Sequence, residues 1–264
     1  MTQTDLISPV AVFDAGIGSY SIVARIREKW PQKDIVYLAD RASFPYGRKD
    51  SDALGKVMLR TIHFLESYHP ASIVIASNAP SIMVLETIRD KVKTPLAGVT
   101  PPLAEAIEKS KTGHVAIMGV QSLVESVMFA DFIAPFAGQA TVSGLNGSPA
   151  IDHVENGDFL FKPDVTQATV DRLVSEIRAA DPLIDVLTLS STHLPWLRDY
   201  FERAAPDCIF LDPADAMVEQ LDIGPMGHGK IHAIATEAPG YEIAEFERML
   251  ARIGVDLTLE KVSF

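Results

Sequence analysis

Short apolar runs bounded by turn residues recur along the chain. Most are continuous rather than alternating and rich in β-branched residues, namely VAVFDAG (10–16), DIVYLAD (34–40), SIVIASN (72–78), HVAIMGV (114–120), DVLTLSS (185–191), CIFLDPA (208–214) and KIHAIAT (230–236). Continuous apolar strands are typical of sheets covered on both faces. We therefore predict a buried parallel strand in each run.

Apolar residues at helical spacing separate these runs, for example Ile22, Ile26 and Trp30, then Leu54, Met58, Ile62 and Leu65. Alternating strands and helices predict an α/β fold with mainly parallel sheets, in which ligands bind at the carboxyl ends of the strands. Residues 138–158 contain several Gly, Ser, Asn and Pro and predict an extended loop.

Polar residues follow many of the predicted strands: Asp14, Asp40, Asn78, Ser191, Thr192 and Thr236. Any one of them is explained as a helix cap. As a set, they favour a functional site at the carboxyl edge of a sheet.

Two segments look like counterparts, IVIASNAPSI (73–82) and VLTLSSTHLP (186–195). Each is an apolar strand that ends in serine and a polar cluster before a helix. The pair predicts two similar α/β domains whose sheets face each other across a cleft. We place one domain at residues 1–95 plus 210–264 and the other at 96–209.

Composition narrows the function. The 264 residues are 47% hydrophobic, enough for one large core or two modest ones. A formal charge of −12 without a basic run disfavours nucleic acid and membrane as partners.

The start MTQTDLISPV lacks the features of a signal peptide, and no apolar run approaches the ~20 residues of a membrane helix, so we expect a cytoplasmic protein. A single cysteine, Cys208, excludes an internal disulfide framework.

Cofactor and metal patterns are weak. The turn Gly16-Ile17-Gly18 has Ser21 where a dinucleotide fingerprint requires its third glycine. Its backbone N–H groups remain suited to a carboxylate. His228 and His232 have the spacing of a helical metal pair, but Gly229 and the strand-like sequence that follows argue against a helix. We predict no metal site.

Four segments resemble, in order and spacing, motifs of the glutamate racemases within the cofactor-independent aspartate/glutamate racemase superfamily. They are VFDAGIGSYSIV (12–23), YLADRASFPYG (37–47), IASNAP (75–80) and LSSTHLP (189–195). The family counterparts of the last two read Ala-Cys-Asn-Thr-Ala and Gly-Cys-Thr-His-Tyr-Pro. The resemblance implies two α/β domains with a substrate pocket between them, no cofactor, a small amino acid or carboxylate as ligand, and a homodimer.

The resemblance also implies roles for individual residues. In that family two cysteines flank the α-carbon of an amino acid, one removing its proton and the other donating a proton to the opposite face. The catalytic positions it implies here are Ser77, Ser191, Asp14, His193 and Glu155. The implied substrate-binding positions are Ala15, Pro45, Tyr46, Gly47, Asn78, Ala79 and Thr192.

Serine at both cysteine positions changes the chemistry. A free thiol has a pKa near ~8.5, whereas an alkyl hydroxyl lies near the ~15.7 of water, so forming the alkoxide costs on the order of 9 kcal/mol more. We therefore expect two-base racemisation to be weak or altered. Further departures from the family pattern at Ala15, Ala79, Ser190 and Leu194 favour natural divergence over deliberate replacement of two cysteines.

Three functions remain open. The chain is a racemase-family enzyme acting on an amino acid, or a catalytically silent module that binds a carboxylate in the same cleft. Alternatively, it is a hydrolase or lyase in which Ser77 or Ser191 is a nucleophile activated by His193 or Asp14.

Overall fold

The computed structural model describes residues 6–264. Contacts divide the chain into two units, one comprising residues up to Val99 together with Met217–Phe264, and the other Thr100–Ala216. The prediction that the chain starts without a signal peptide concerns residues 1–10, and residues 1–5 lie outside the described residues. Across residues 6–264, no helix has the length and apolar character needed to cross a membrane.

Strands and helices alternate along the chain. The strands are β1 Val10–Asp14, β2 Ile35–Asp40, β3 Ser72–Ile75, β4 Leu96–Gly98, β5 His114–Gly119, β6 Thr141–Asn146, β7 Val186–Leu189, β8 Ile209–Leu211, β9 Ile231–Thr236 and β10 Glu260–Lys261. The helices are α1 Tyr20–Lys29, α2 Ser51–Glu66, α3 Asn78–Met83, α4 Leu85–Ile88, α5 Leu103–Lys109, α6 Gln121–Val124, α7 Val127–Ile133, α8 Ser148–Glu155, α9 Asp158–Phe161, α10 Pro163–Ala180, α11 Arg198–Ala204, α12 Pro213–Glu219 and α13 Ile243–Arg252.

Each unit contains one parallel sheet. The first has the strand order β10-β9-β2-β1-β3-β4, and the second has the order β6-β5-β7-β8. All strand pairs within these sheets are parallel. The prediction of an α/β fold with parallel sheets is therefore confirmed. The order β2-β1-β3-β4 repeats as β6-β5-β7-β8, so the segments predicted as counterparts include equivalent strands, β3 and β7.

Burial on both faces explains the continuous apolar runs. Every residue of β1, β2 and β3 is buried, including the outward-alternating positions that would be polar in a one-sided sheet. Helix α2 covers part of this sheet with Leu54, Met58, Ile62 and Leu65, which recur every three to four residues. Asp50 starts that helix by accepting a hydrogen bond from the Ala53 N–H at 2.8 Å.

The extended loop predicted at 138–158 is wrong, because this stretch contains β6 and α8. Two of its glycines serve close packing rather than a turn. A Cβ on Gly144 would lie 2.9 Å from the Phe129 ring, and one on Gly147 would lie 2.7 Å from the Met118 side chain. Strand β6 lies at the sheet edge and is half-exposed, so it lacks the continuous apolar run that marks the other strands.

A buried carboxylate ties distant loops to the first sheet. Asp34 accepts hydrogen bonds from the backbone N–H groups of Ile7 at 2.8 Å, His228 at 2.8 Å and Lys230 at 2.9 Å. Burial by itself would raise the pKa of Asp34, but these three bonds together lower it. His228 thus has a backbone role here, and the described residues contain no group of three metal-ligating side chains.

Candidate active site

The first unit places several predicted site residues at one edge of its sheet. Asp14 ends β1, and Ser77 follows β3, the strand paired beside it. A bond of 2.8 Å from the Ala76 N–H to the Phe13 carbonyl holds the two strand ends together. Strands β2 and β3 flank β1 on opposite sides, so this edge is a point of strand-order reversal, where α/β sheets bind ligands.

Asn78 is the most unusual residue at this edge. It begins α3 and is only 3% exposed. Neither its Oδ1 nor its Nδ2 finds a hydrogen-bond partner among the residues that the structure describes. A buried polar group left unpaired costs about 1–3 kcal/mol. The amide is therefore suited to a ligand that offers both a donor and an acceptor.

The loop carrying Ser77 is fixed through its backbone and not through its hydroxyl. The Ser77 carbonyl accepts a bond of 2.7 Å from Ser81 Oγ, which in turn accepts 3.0 Å from the Val99 N–H. The half-buried Ser77 hydroxyl makes no hydrogen bond within residues 6–264. Ala79, which follows Asn78, is buried. Ser77 therefore has no base of its own within hydrogen-bond distance in this stretch.

The segment 45–47 forms a wall of the same site. The turn Tyr46–Arg48 contacts α3, and Tyr46 is buried. Its hydroxyl donates to Asp40 Oδ2 at 3.1 Å. Burial raises the pKa of Tyr46 well above its usual value, and the carboxylates of Asp40 and Asp14 raise it further. The phenol thus stays protonated and acts as a neutral donor.

Sequence reasoning missed Arg41. Its guanidinium is buried, packs within 4.8 Å of the Phe44 and Phe246 ring centres, and donates a bond of 2.6 Å to the Ala15 carbonyl. Arg41 thereby fixes the backbone that follows Asp14. The available signal was a charged residue directly after a buried strand, inside a segment otherwise set by the Pro-Tyr-Gly motif.

The second unit forms a connected set of predicted residues. Helix α8 contacts the turn Leu194–Leu197, which brings Glu155 at the end of α8 next to His193. Glu155 Oε2 lies 2.9 Å from His193 Nε2, and the two side chains are 10% and 9% exposed. Ser191 Oγ lies 3.4 Å from His193 Nδ1 on the other side of the ring.

The carboxylate determines the tautomer of this histidine. Because the Glu155 carboxylate accepts a hydrogen bond from Nε2–H, the neutral ring carries its hydrogen on Nε2 and presents a bare Nδ1 to Ser191. Thr192 lies between the two and is buried. Within the described residues, the backbone N–H groups of Ser191 and Thr192 donate no hydrogen bond. This turn thus offers a base and two free donors.

The predicted site residues accordingly fall into two sets, one in each unit, and the two sets differ in the hydrogen-bond partners of their serines. The first unit holds Asp14, Ala15, Pro45, Tyr46, Gly47, Ser77, Asn78 and Ala79, and the second holds Glu155, Ser191, Thr192 and His193. Both serines follow the equivalent strand of their sheet. Only Ser191 has a histidine as hydrogen-bond partner among the described residues.

Comparison with known proteins agrees with this arrangement. No family model matches the chain. It is 31% identical over 215 residues to a glutamate racemase of Ralstonia pickettii, covering 81% of this chain and 75% of that protein. A glutamate racemase of Persephonella marina is 27% identical over 274 residues, covering 96% of each chain. The crystal structure of a glutamate racemase isoform from Bacillus anthracis superposes with a TM-score of 0.85 at 21% identity, over 97% of this chain and 98% of the other. The chain therefore belongs to the glutamate racemase family.

Proposed function

We propose that this protein binds a small amino acid or a related carboxylate at the strand edge that carries Asn78. The relatives in sequence are glutamate racemases, which favours an acidic amino acid. The observation that carries the proposal is the buried Asn78 amide, whose oxygen and nitrogen both lack partners within the described residues.

An α-amino acid matches that amide chemically. Its ammonium group donates to Oδ1 and its carboxylate accepts from Nδ2, so one ligand satisfies both buried atoms. A net charge of −12 gives no general attraction for an anion, so the carboxylate must be held by local donors. The Asn78 Nδ2 group is a donor of that kind.

The two serines make this chain a poor two-base racemase. Abstraction of an α-proton requires a base, and the Ser77 hydroxyl has none beside it among the described residues. The His193–Glu155 pair is the group best arranged to move a proton. We therefore propose racemase-family binding with weak or altered turnover, and no requirement for a cofactor. We also propose a homodimer, for which sedimentation velocity should give about twice the chain mass of 28.7 kDa.

Thermal denaturation against a ligand panel tests the binding proposal. A bound ligand should stabilise the fold by about 2.7 kcal/mol at a hundred times its Kd. The panel contains D- and L-glutamate, D- and L-aspartate, neutral amino acids and dicarboxylates lacking an amino group. No shift with any member at millimolar concentration would refute the proposal.

The variant Asn78→Leu separates a binding amide from a structural one. Removing two unpaired buried atoms should stabilise the free protein by about 1–3 kcal/mol, while the ligand-dependent shift should disappear. Asn146→Leu is the matched control, because Asn146 is exposed and accepts a bond from the Ser148 N–H, so it should give no stabilisation. A destabilised Asn78→Leu that still binds would show that the amide does not contact the ligand.

A further inference from the structure

Ser191, His193 and Glu155 form a hydrogen-bonded series that the proposed binding function does not require. Oγ lies 3.4 Å from Nδ1, and Nε2 lies 2.9 Å from the carboxylate. This is the order of nucleophile, base and orienting acid that activates a serine hydroxyl. From this geometry we propose that Ser191 is an acyl-accepting nucleophile and that the second unit hydrolyses esters of small carboxylic acids.

The local electrostatics support a nucleophilic oxygen. Glu155 fixes the proton of the neutral ring on Nε2, so Nδ1 is free to accept the Ser191 proton. The carboxylate also stabilises the imidazolium that this transfer creates. The His193 backbone N–H points to Oγ at 3.4 Å and favours negative charge on that atom. Both bonds are longer than in a reacting complex, as is common before a substrate is bound.

The turn also supplies a place for the oxyanion. The N–H of Thr192, the residue directly after the nucleophile, donates to nothing within the described residues. An N–H at this position is one of the donors that stabilise the tetrahedral intermediate in serine esterases. Loss of one such donor typically slows acyl transfer by about 100- to 1,000-fold.

The steps balance without an oxidant or a second reagent. Ser191 Oγ attacks the ester carbonyl carbon as its proton passes to His193 Nδ1, and the C–O bond to the alcohol breaks as the leaving alcohol takes that proton. Water then attacks the acyl group, gives a proton to Nδ1, and releases the acid as Oγ regains its proton. Glu155 is a positioning residue, because it acts through His193 and does not touch the reacting atoms.

The test is acylation by p-nitrophenyl acetate, with the adduct located by mass spectrometry after acid quenching. We expect acetyl on Ser191, and none on Ser77, whose hydroxyl has no histidine beside it within the described residues. The variant His193→Gln removes the proposed base and should slow acylation at least ~100-fold. Ser190→Ala is the matched control, because Ser190 Oγ bonds to Thr188 and not to the histidine, and it should leave acylation unchanged.

Two further variants make every outcome decisive. Glu155→Gln should slow acylation less than His193→Gln, since it removes orientation and not the base. Ser191→Cys treated with iodoacetamide reports whether a small reagent reaches position 191. Acetyl on neither serine together with no His193-dependent release of p-nitrophenol, equal acetylation of both, or labelling of Ser191 that survives His193→Gln would each overturn the proposal, as would a Ser191→Cys thiol that cannot be alkylated. Because none of these readouts involves an amino acid, failure here leaves the binding proposal unaffected.

Discussion

Replacing Ser191 with cysteine should create a more acidic thiol than the same replacement at Ser77. Position 191 faces His193 Nδ1 and the His193 backbone N–H, each 3.4 Å from the present hydroxyl. Position 77 has no hydrogen-bond partner for its hydroxyl within the described residues. Positions 77 and 191 should therefore differ in acidity once each carries a thiol.

The size of the difference follows from these contacts. A hydrogen bond to a charged group contributes about 1.5–3 kcal/mol, and one pKa unit corresponds to about 1.4 kcal/mol. One such bond to the S191C thiolate lowers its pKa by roughly one to two units, from ~8.5 to about 7. The S77C thiol should stay near ~8.5. At pH 7 the thiolate fraction at position 191 is then on the order of tenfold higher.

Alkylation by iodoacetamide measures this directly. Rates are followed from pH 5 to 10 in each single variant, and the modified residue is located by mass spectrometry. The native Cys208 serves as an internal reference, because burial raises the pKa of its thiol and the neighbouring Asp207 raises it further. Adding His193→Gln to S191C should return the pKa of that thiol towards ~8.5. Equal pKa values at the two positions, or a lower one at 77, would refute the reasoning.

Restored thiols should also restore chemistry. The double variant S77C/S191C should exchange the α-proton of an acidic amino acid in deuterated water, and each single variant should support exchange on one face only. If the double variant folds and binds but exchanges nothing, thiols at positions 77 and 191 are not sufficient for proton exchange. The hydroxyls missing at Ala15 and Ala79 would then be the next positions to restore.

Three stability predictions test the framework of the site by thermal and denaturant unfolding. Asp34→Asn should destabilise by about 3 kcal/mol near neutral pH, because one carboxylate serves three backbone donors. The pKa of Asp34 is lower in the folded state than the unfolded value of ~3.9. Its contribution to stability is therefore complete above the unfolded pKa and is lost as the pH falls through the folded pKa. The difference in stability between wild type and Asp34→Asn should vanish in acid, and a difference that does not change with pH would contradict this. Tyr46→Phe should destabilise by about 1–2 kcal/mol by removing a donor from the buried Asp40 carboxylate, and an unchanged midpoint would show that this bond contributes nothing. Gly147→Ala should destabilise by about 1–3 kcal/mol because the new methyl meets Met118 at 2.7 Å, and a neutral result would mean that Met118 moves aside freely.

Continuous apolar patterning identified the buried strands. All seven predicted runs contain a strand, from β1 to β9, because a strand buried on both faces requires apolar residues at every position. The three strands that the pattern did not predict, β4, β6 and β10, are not buried at every position. Strand β6 is a half-exposed edge with a glycine in its centre, and β4 and β10 are only three and two residues long. Their hydrogen bonds come from neighbours that a local pattern does not reveal.

The candidate site likewise contains residues that the sequence predicts and residues that only the structure reveals. Polar residues at strand ends identified Asp14, Asn78 and Ser191, and the family motifs added Glu155 and His193. Arg41 went unnoticed because its importance lies in a bond to the carbonyl of Ala15, 26 positions away in sequence. The unpaired amide of Asn78 was equally hidden, since the absence of partners depends on everything packed around it.

The sequence by itself determined the alternation of strands and helices and the likeness of the two serine-bearing segments, because these properties reside in residue type and spacing. Tertiary structure alone decided that the two serines are chemically unequal. Residues 155 and 191 are distant in the chain, and only the packing of α8 against the turn Leu194–Leu197 brings the carboxylate to the histidine. Hydrogen bonds form across space at about 3 Å, and no local pattern encodes which distant side chain will supply the partner.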